Sequence, residues 1–164
     1  MKISLAILAA SVVVAGAAGP IAPKSGAAMC ALSPADFQSV GVNGTSKPSA
    51  NVNDAGASVY CVYAGKSAAT GGVELDVFYP AGASPADAKE TFDTASGESG
   101  TKLQPITIAG ADEARWAPDA VSGGPRFATM TVRRKSLVFS LGVPANAGAQ
   151  AQLTKLAALL LQRF

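Results

Sequence analysis

The sequence contains two cysteines, Cys30 and Cys61, and a bond between their sulfur atoms would fix how the first part of the chain folds. Closing a loop of roughly 30 residues stabilises a folded chain by about 3–4 kcal/mol in the chain-entropy model. A redox centre or a zinc site is the alternative use of two thiols, but the chain has neither a Cys-x-x-Cys motif nor a histidine. We therefore expect a structural disulfide, provided that the chain reaches an oxidising compartment.

The N-terminus has the layout of a secretory signal peptide. Lys2 is followed by an uncharged run that ends at Gly19, and small residues close that run. We assign residues 1–18 to the signal peptide, with cleavage near Ala18 or as late as residue 28. A retained membrane anchor is the alternative, but a span needs about 20 strongly apolar residues, and alanine, glycine and serine dilute this run. The expected location is therefore periplasmic or secreted.

Cys30 also raises the alternative of a lipoprotein, in which a lipid is attached to the cysteine that follows the signal peptide. Lipoprotein signals place a small residue directly before that cysteine, whereas Met29 precedes Cys30 here. We therefore expect Cys30 to belong to the mature domain. The predicted organisation is a flexible N-terminal linker over residues 19–29 and a single domain over residues 30–164, a usual size for one hydrophobic core.

The charge balance excludes two classes of partner. The chain carries 13 basic and 11 acidic residues, a net charge of +2, and loss of Lys2 with the signal peptide leaves 12 against 11. Such a balance provides neither the positive field that attracts nucleic acid nor a polybasic patch for a membrane surface. The one basic cluster, residues 133–135, lies between two strand-like runs, and we interpret it as a solvated hairpin tip.

The tetrapeptide Ser-Pro-Ala-Asp occurs twice, beginning at Ser33 and at Ser84. A serine side chain accepts hydrogen bonds from the free amides of the first helical turn, and proline fits the first helical position. The aspartate adds negative charge at the positive end of the helix dipole. Because the residues after the two copies differ, the repeat is not an internal duplication. We predict two helices that begin at these serines, the second ending at about Ser96.

Alternation of apolar and polar residues predicts the strands. Residues 73–79 alternate in this way, and a glycine-rich link joins them to the strand-like run at 58–64 as a hairpin. A short strand around 114–117 follows, and then two strands folded about residues 134–135. The polar, turn-rich stretch at 43–56 is interpreted as a loose surface loop.

The C-terminal segment has apolar residues at the spacing of one helical face. These residues are Ala149, Leu153, Leu156, Ala157, Leu160 and Phe164. The predicted order is helix, two strands, helix, about three strands, helix. Since hairpin-linked strands form an antiparallel sheet and each helix must bury one face on it, the predicted class is α+β. We expect a sheet of about five strands packed by two to three helices, with one disulfide.

The sequence has no histidine, so the commonest general base and the favoured transition-metal ligand are both missing. Two carboxylate pairs remain as candidates for acid–base chemistry, Glu74 with Asp76 and Asp112 with Glu113. Paired carboxylates act as acid and base when their surroundings separate their pKa values. Acidic residues that alternate along a strand or follow a glycine more often mark a solvated face or a turn. We predict no catalytic residue, no metal site and no cofactor.

One segment combines residue types that are enriched in protein interfaces. Trp116 is the only tryptophan, and Asp112, Glu113 and Arg115 lie close to it on a turn-rich stretch. Tryptophan and arginine are frequent in binding hot spots. The alternative is that Trp116 closes one end of the hydrophobic core. We therefore take Asp112, Glu113, Arg115 and Trp116 as the candidate binding residues.

Three segments together form a recognisable framework. Cys30 is followed by an acidic helix start and Gly41, the second cysteine stands beside Tyr60, and an alternating strand comes next. The stretch Ile108–Trp116 contains a Gly-x-Asp-Glu-Ala turn in which Ala111 replaces a second glycine. This framework resembles a group of small exported bacterial domains of uncharacterised function, many of them lipoproteins. Some members fold like the PsbP accessory protein of photosystem II, an antiparallel sheet sandwiched by helices. The resemblance implies a non-catalytic extracytoplasmic module and names no ligand.

The sequence leaves three functional hypotheses. The first is a secreted or periplasmic, non-catalytic binding or accessory domain whose partner is another extracytoplasmic protein or a small ligand. The second is an inhibitor-like protein that docks on a partner enzyme through the segment around Trp116. The third is a small hydrolase that uses carboxylates, with Asp112 and Glu113 as its candidates. None of the three involves nucleic acid or a membrane span that persists after signal cleavage.

Overall fold

The computed structural model describes residues 26–53, 57–65, 72–82, 84–97, 103–120 and 126–164. The predicted signal peptide, residues 1–18, and residues 19–25 of the predicted linker lie outside the described residues. In the described part of the chain, no helix has the length and apolar character needed to cross a membrane. The elements in chain order are a 3₁₀ turn (Gly26–Met29), α1 (Pro34–Ser39), β1 (Ser49–Asn53), β2 (Ser58–Tyr63), β3 (Val73–Phe78), α2 (Pro85–Gly97), β4 (Gln104–Pro105), β5 (Glu113–Ala120), β6 (Phe127–Arg134), β7 (Leu137–Pro144) and α3 (Ala149–Arg163).

Within the described ranges, the strands form one antiparallel sheet of seven strands in the order β1-β2-β3-β7-β6-β5-β4. The α+β class is confirmed, but the prediction of about five strands is wrong. β1 lies within the stretch 43–56 that was expected to be a loop, and β4 has only two residues. Polar residues such as those of β1 have weak strand propensity, so this strand forms through its pairing with β2, which local sequence does not reveal.

One face of the sheet, here called the inner face, is covered by α3, α1 and the 3₁₀ turn. Alternate residues of the strands point to this face and form the core with α3. The strand residues include Val59, Cys61, Tyr63, Val73, Leu75, Val77, Ala128, Met130, Val132, Phe139, Leu141 and Val143. The predicted apolar stripe of α3, from Ala149 to Phe164, is buried against them, which confirms that prediction.

The opposite face, here called the outer face, is packed by a single described helix, α2. This helix contacts β6 and β7, near the middle of the sheet. Ala88 and Phe92 of α2 are fully buried and form a small second core with Val138 of β7 and Ala81. Phe78 at the end of β3 packs against this second core, whereas the outer sides of β1 and β2 lie away from it.

Both predicted helix starts are confirmed. Ser33 accepts a hydrogen bond from the amide of Asp36, and the Asp36 carboxylate accepts one from the amide of Ser33 at 2.7 Å. Ser84 and Asp87 make the same reciprocal pair, with distances of 2.9 and 3.2 Å. The same four residue types therefore produce the same cap at two unrelated places in the fold.

Cys30 and Cys61 form a disulfide whose Cα atoms are 5.7 Å apart. Cys61 is fully buried in β2 on the inner face, while Cys30 lies between the 3₁₀ turn and α1. Met29 of that turn is also fully buried. The bond therefore fastens the segment before α1 to the sheet, as the cysteine count predicts.

The basic cluster at 133–135 is not a solvated tip as a whole, contrary to the sequence interpretation. Lys135 is exposed in the turn between β6 and β7, with a positive φ of 54°. Arg133 and Arg134 lie within β6 and are partly buried. Arg134 donates a hydrogen bond to the carbonyl of Leu161 in α3, so the two arginines tie the sheet to its neighbours rather than facing solvent.

Candidate functional site

The four candidate binding residues, Asp112, Glu113, Arg115 and Trp116, do not form one patch. All but Asp112 belong to β5, where successive side chains point to opposite faces. Trp116 pairs with Met130 on the inner face, and Arg115 pairs with Thr131 on the outer face. Strand geometry therefore separates the tryptophan from the arginine.

Arg115 and Glu113 belong to an ion-pair network between β5 and α2. The Arg115 guanidinium lies 2.9 Å from Glu113 and 2.9 Å from Asp93, and its Cζ atom lies 4.7 Å from the ring centre of Phe92. Lys89 approaches Asp93 to 2.6 Å. Hydrogen bonds from Lys89 and then Arg115 lower the pKa of Asp93. The network holds α2 against the edge half of the sheet.

The predicted carboxylate pair is also held by basic groups. Arg133 lies 3.5 Å from Asp112 and 3.6 Å from Glu113, and the backbone amide of Lys135 donates a hydrogen bond to Asp112. A general acid or base needs a proton-accepting oxygen directed at a substrate, whereas these oxygens are directed at arginines and an amide. The geometry therefore fits a structural role for both carboxylates.

Trp116 is half-buried and packs against the main core on the inner face. Its neighbours across the strands are Met130 of β6 and Gln104 of the edge strand β4. This position agrees with the alternative in which the tryptophan closes one end of the core. Its binding role stays a prediction, now limited to the exposed part of one side chain.

A different surface has the form of a binding site, the outer sides of β1, β2 and β3, which we call the open face. Its residues alternate along the strands with the buried residues of the inner face. They are Ser49, Asn51, Asn53, Ser58, Tyr60, Val62, Glu74, Asp76 and Phe78, and all are exposed or half-buried. In the described part of the chain, only α2 packs on the outer side of the sheet, and it lies over β6 and β7.

Tyr60 lies at the centre of the open face, opposite Asp76 in the strand register. Partial burial, followed by the nearby carboxylates of Glu74 and Asp76, raises the pKa of Tyr60 to about 12. The hydroxyl therefore stays protonated at physiological pH and donates a hydrogen bond to the Glu74 carboxylate. Glu74 and Asp76 share this face, as their alternation in the sequence predicts.

A groove of about 410 Å³ runs between the open face and α2. Phe78 of β3 forms its apolar part, and α2 supplies the other lining residues, which are Asp87, Glu90, Thr91, Thr94 and Ala95. The groove thus combines an aromatic side chain with carboxylates and hydroxyls. Glu74 and Asp76 lie on the same side of β3 as Phe78, beside the groove rather than in its lining.

Sequence reasoning missed the groove even though its two walls, β3 and α2, follow each other closely in the chain. The solvated side of β3 was visible from the alternation of Glu74 and Asp76. The residues of β3 and α2 do not by themselves indicate that α2 crosses the sheet beside Phe78 rather than over it. In the described ranges, no three carboxylate or thiol side chains lie close enough together to hold a metal ion.

Comparison with known proteins adds no relative. No family model, no curated protein and no solved structure matches this chain.

Proposed function

We propose that this chain is a secreted or periplasmic, non-catalytic binding domain that presents the open face and its groove to a partner. The observation that supports this most is the unequal covering of the sheet. The inner face is packed along its width, whereas the described elements cover the outer face mainly over β6 and β7 and leave β1 and β2 open. A partly covered sheet beside a groove offers a concave surface with polar groups in fixed positions.

The charges of this surface indicate the chemistry of the partner. Glu74 and Asp76 on β3 and Asp87 and Glu90 on α2 place negative charge on the two elements that meet at Phe78. A cationic side chain is attracted by the carboxylates and also by the face of an aromatic ring. The complementary partner is a basic segment of another extracytoplasmic protein.

The proposal is non-catalytic because the acidic residues best placed for chemistry are otherwise engaged. Asp112 and Glu113 face Arg133 and Arg115, as described above. The inhibitor-like alternative, docking through Trp116, has less support, because Trp116 and Arg115 point to opposite faces and cannot form one hot spot.

The export part of the proposal is supported by the disulfide, since such bonds persist in oxidising compartments. The N-terminal sequence, with Lys2 before an uncharged run, gives the same indication. Mass spectrometry of the exported material should show a chain that begins between residues 18 and 29, without lipid on Cys30. An acylated Cys30 at the N-terminus would make the protein a lipoprotein.

The partner can be sought by affinity capture from the extracytoplasmic fraction of the source cell. The decisive variant is Glu74→Gln with Glu90→Gln, which removes one charge from the open face and one from the lining of the groove. Its matched control is Gln150→Lys with Gln162→Lys, which changes the net charge by the same amount on exposed positions of α3.

We expect the unaltered chain and the α3 control to capture a basic protein, and the double Glu→Gln variant to capture it with up to about tenfold lower affinity, since each exposed ion pair contributes up to about 1 kcal/mol. Equal retention by all three chains would contradict the proposal. Loss in the α3 control alone would place the binding surface on the other side of the sheet.

A further inference from the structure

The two edges of the sheet differ in how they are protected. β4 has two residues, and one of them is Pro105, which has no amide hydrogen to offer a neighbouring strand. β1 has five residues, Ser49–Asn53, with neither a charge nor a proline among them. Natural sheets usually blunt an edge with short strands, charges or prolines. The β1 edge lacks all three devices.

The β1 edge also carries exposed apolar surface. In the described ranges, β1 pairs with β2 alone, so the strand's second row of amides and carbonyls faces outward. Val52 is 47% exposed. Among the described residues, it is the one large hydrophobic side chain that is exposed. Ala50 lies beside it on the inner face and is half-buried. An added strand would cover both side chains.

The strand is complementary to itself in the antiparallel direction. A two-fold axis at Asn51 places Val52 opposite Ala50 of a second copy and Ser49 opposite Asn53. Asn51 then lies opposite Asn51, where the two amides can exchange hydrogen bonds. Each pair joins apolar with apolar or polar with polar, and no like charges meet. An edge strand that pairs with itself in this way satisfies the symmetry of a two-fold dimer.

We propose that two copies of this chain pair through β1 and extend the sheet across a two-fold axis at Asn51. The proposal is independent of the open face and its basic partner. The contact is one strand wide and about 17 Å long, so it covers less than the roughly 1,200 Å² of a stable interface. The dimer is therefore concentration-dependent rather than permanent.

The register is tested by cysteine cross-linking of the chain purified from a host that exports it. Asn51→Cys places two thiols directly opposite each other across the axis. Asn53→Cys is the matched control, because it lies on the same strand and face but opposite Ser49 of the other copy. Under mild oxidation we expect Asn51→Cys to form a covalent dimer at least about tenfold faster, since only its Cβ atoms come within about 5.5 Å. Equal rates, or no dimer from Asn51→Cys, would overturn the proposal.

Analytical ultracentrifugation over a range of protein concentrations supplies the second test. The unaltered chain should rise toward about twice its monomer mass, as a closed two-fold pair requires. Val52→Lys should remain monomeric, and the milder Val52→Thr should weaken association while keeping a strand-forming residue. Gln162→Lys, exposed on α3, is the charge control and should dimerise normally. A monomer at every concentration, or a dimer that Val52→Lys leaves intact, would contradict the proposal.

Discussion

Asp36 has a second role in addition to the capping role that it shares with Asp87. Both cap a helix, but the Asp36 carboxylate also receives two hydrogen bonds of 2.8 Å from Arg163 at the end of α3. The same guanidinium donates to the carbonyl of Ala31, next to Cys30. The C-terminus of α3 is thereby joined to the segment that the disulfide fastens to the sheet.

This difference predicts unequal effects for two matched substitutions. At neutral pH, Asp36→Asn should lower the free energy of unfolding by about 1 kcal/mol more than Asp87→Asn, because only the former breaks an ion pair that is partly exposed. Chemical denaturation of both variants measures this difference. Equal losses would show that Arg163 adds nothing to the cap.

The pH dependence of the same pair has a definite sign. The hydrogen bonds from Arg163 hold the pKa of Asp36 well below its ordinary value of 3.8. A carboxyl group with a lowered pKa in the folded state stabilises the fold above its unfolded pKa and loses that contribution as the pH falls below it. The stability advantage of the unaltered chain over Asp36→Asn should therefore be full at pH 6 and shrink below about pH 4. An advantage that stays constant down to pH 2 would contradict this assignment.

A substitution of Trp116 distinguishes a role of this side chain in the core from a role in a binding interface. Because it is half-buried against the inner-face core, Trp116→Ala should destabilise the fold by about 2–3 kcal/mol, below the usual loss for a fully buried tryptophan. Circular dichroism melting measures the loss, and capture of the basic partner by the folded fraction should be unchanged. Loss of capture at temperatures where the variant remains folded would instead support the hot-spot hypothesis.

At the scale of elements, the disulfide replaces packing that the short N-terminal elements cannot supply. The 3₁₀ turn and the six-residue α1 bury Met29 and Phe37, but neither element is long enough to be stable alone. Phe37 meets Tyr63 of β2 edge to face, with ring centres 4.7 Å apart. The Cys30–Cys61 bond keeps this contact in place.

Removal of the bond should therefore be costly. Replacement of both cysteines by alanine should lower the free energy of unfolding by about 3 kcal/mol, which corresponds to a fall of about 10 °C in Tm for a domain of this size. A reducing agent should produce the same fall in the unaltered chain and no change in the double variant. Two free thiols in the purified native protein would contradict the account.

The elements that could be predicted are those whose signal is local. The caps at Ser33 and Ser84 and the stripe of α3 each follow from residues within one turn or a few turns of helix. β1 could not be predicted, because its residues are polar and its strand state comes from pairing with β2. The pairing of Asp112 and Glu113 with Arg133 could not be predicted either, since Arg133 is brought to them only by the pairing of β5 with β6.

At the scale of the whole molecule, the sheet has one well-covered face and one that the described elements cover only in part. The covered face accounts for stability through its core and its disulfide. The open face accounts for the proposed function, because its polar and acidic groups are held on rigid strands beside the groove. The strand order places the candidate binding residues named from the sequence on the other half of the sheet, and strand alternation divides them between its two faces.

Site-specific photo-cross-linking in the source cell tests the open face most directly. A benzophenone side chain in place of Tyr60 probes the centre of that face, while the same group at Trp116 or at Lys155 on α3 probes the inner-face edge and a control surface. We predict a covalent adduct with a basic exported protein from position 60 and none from position 155. An adduct from position 116 or 155 with none from position 60 would contradict the account.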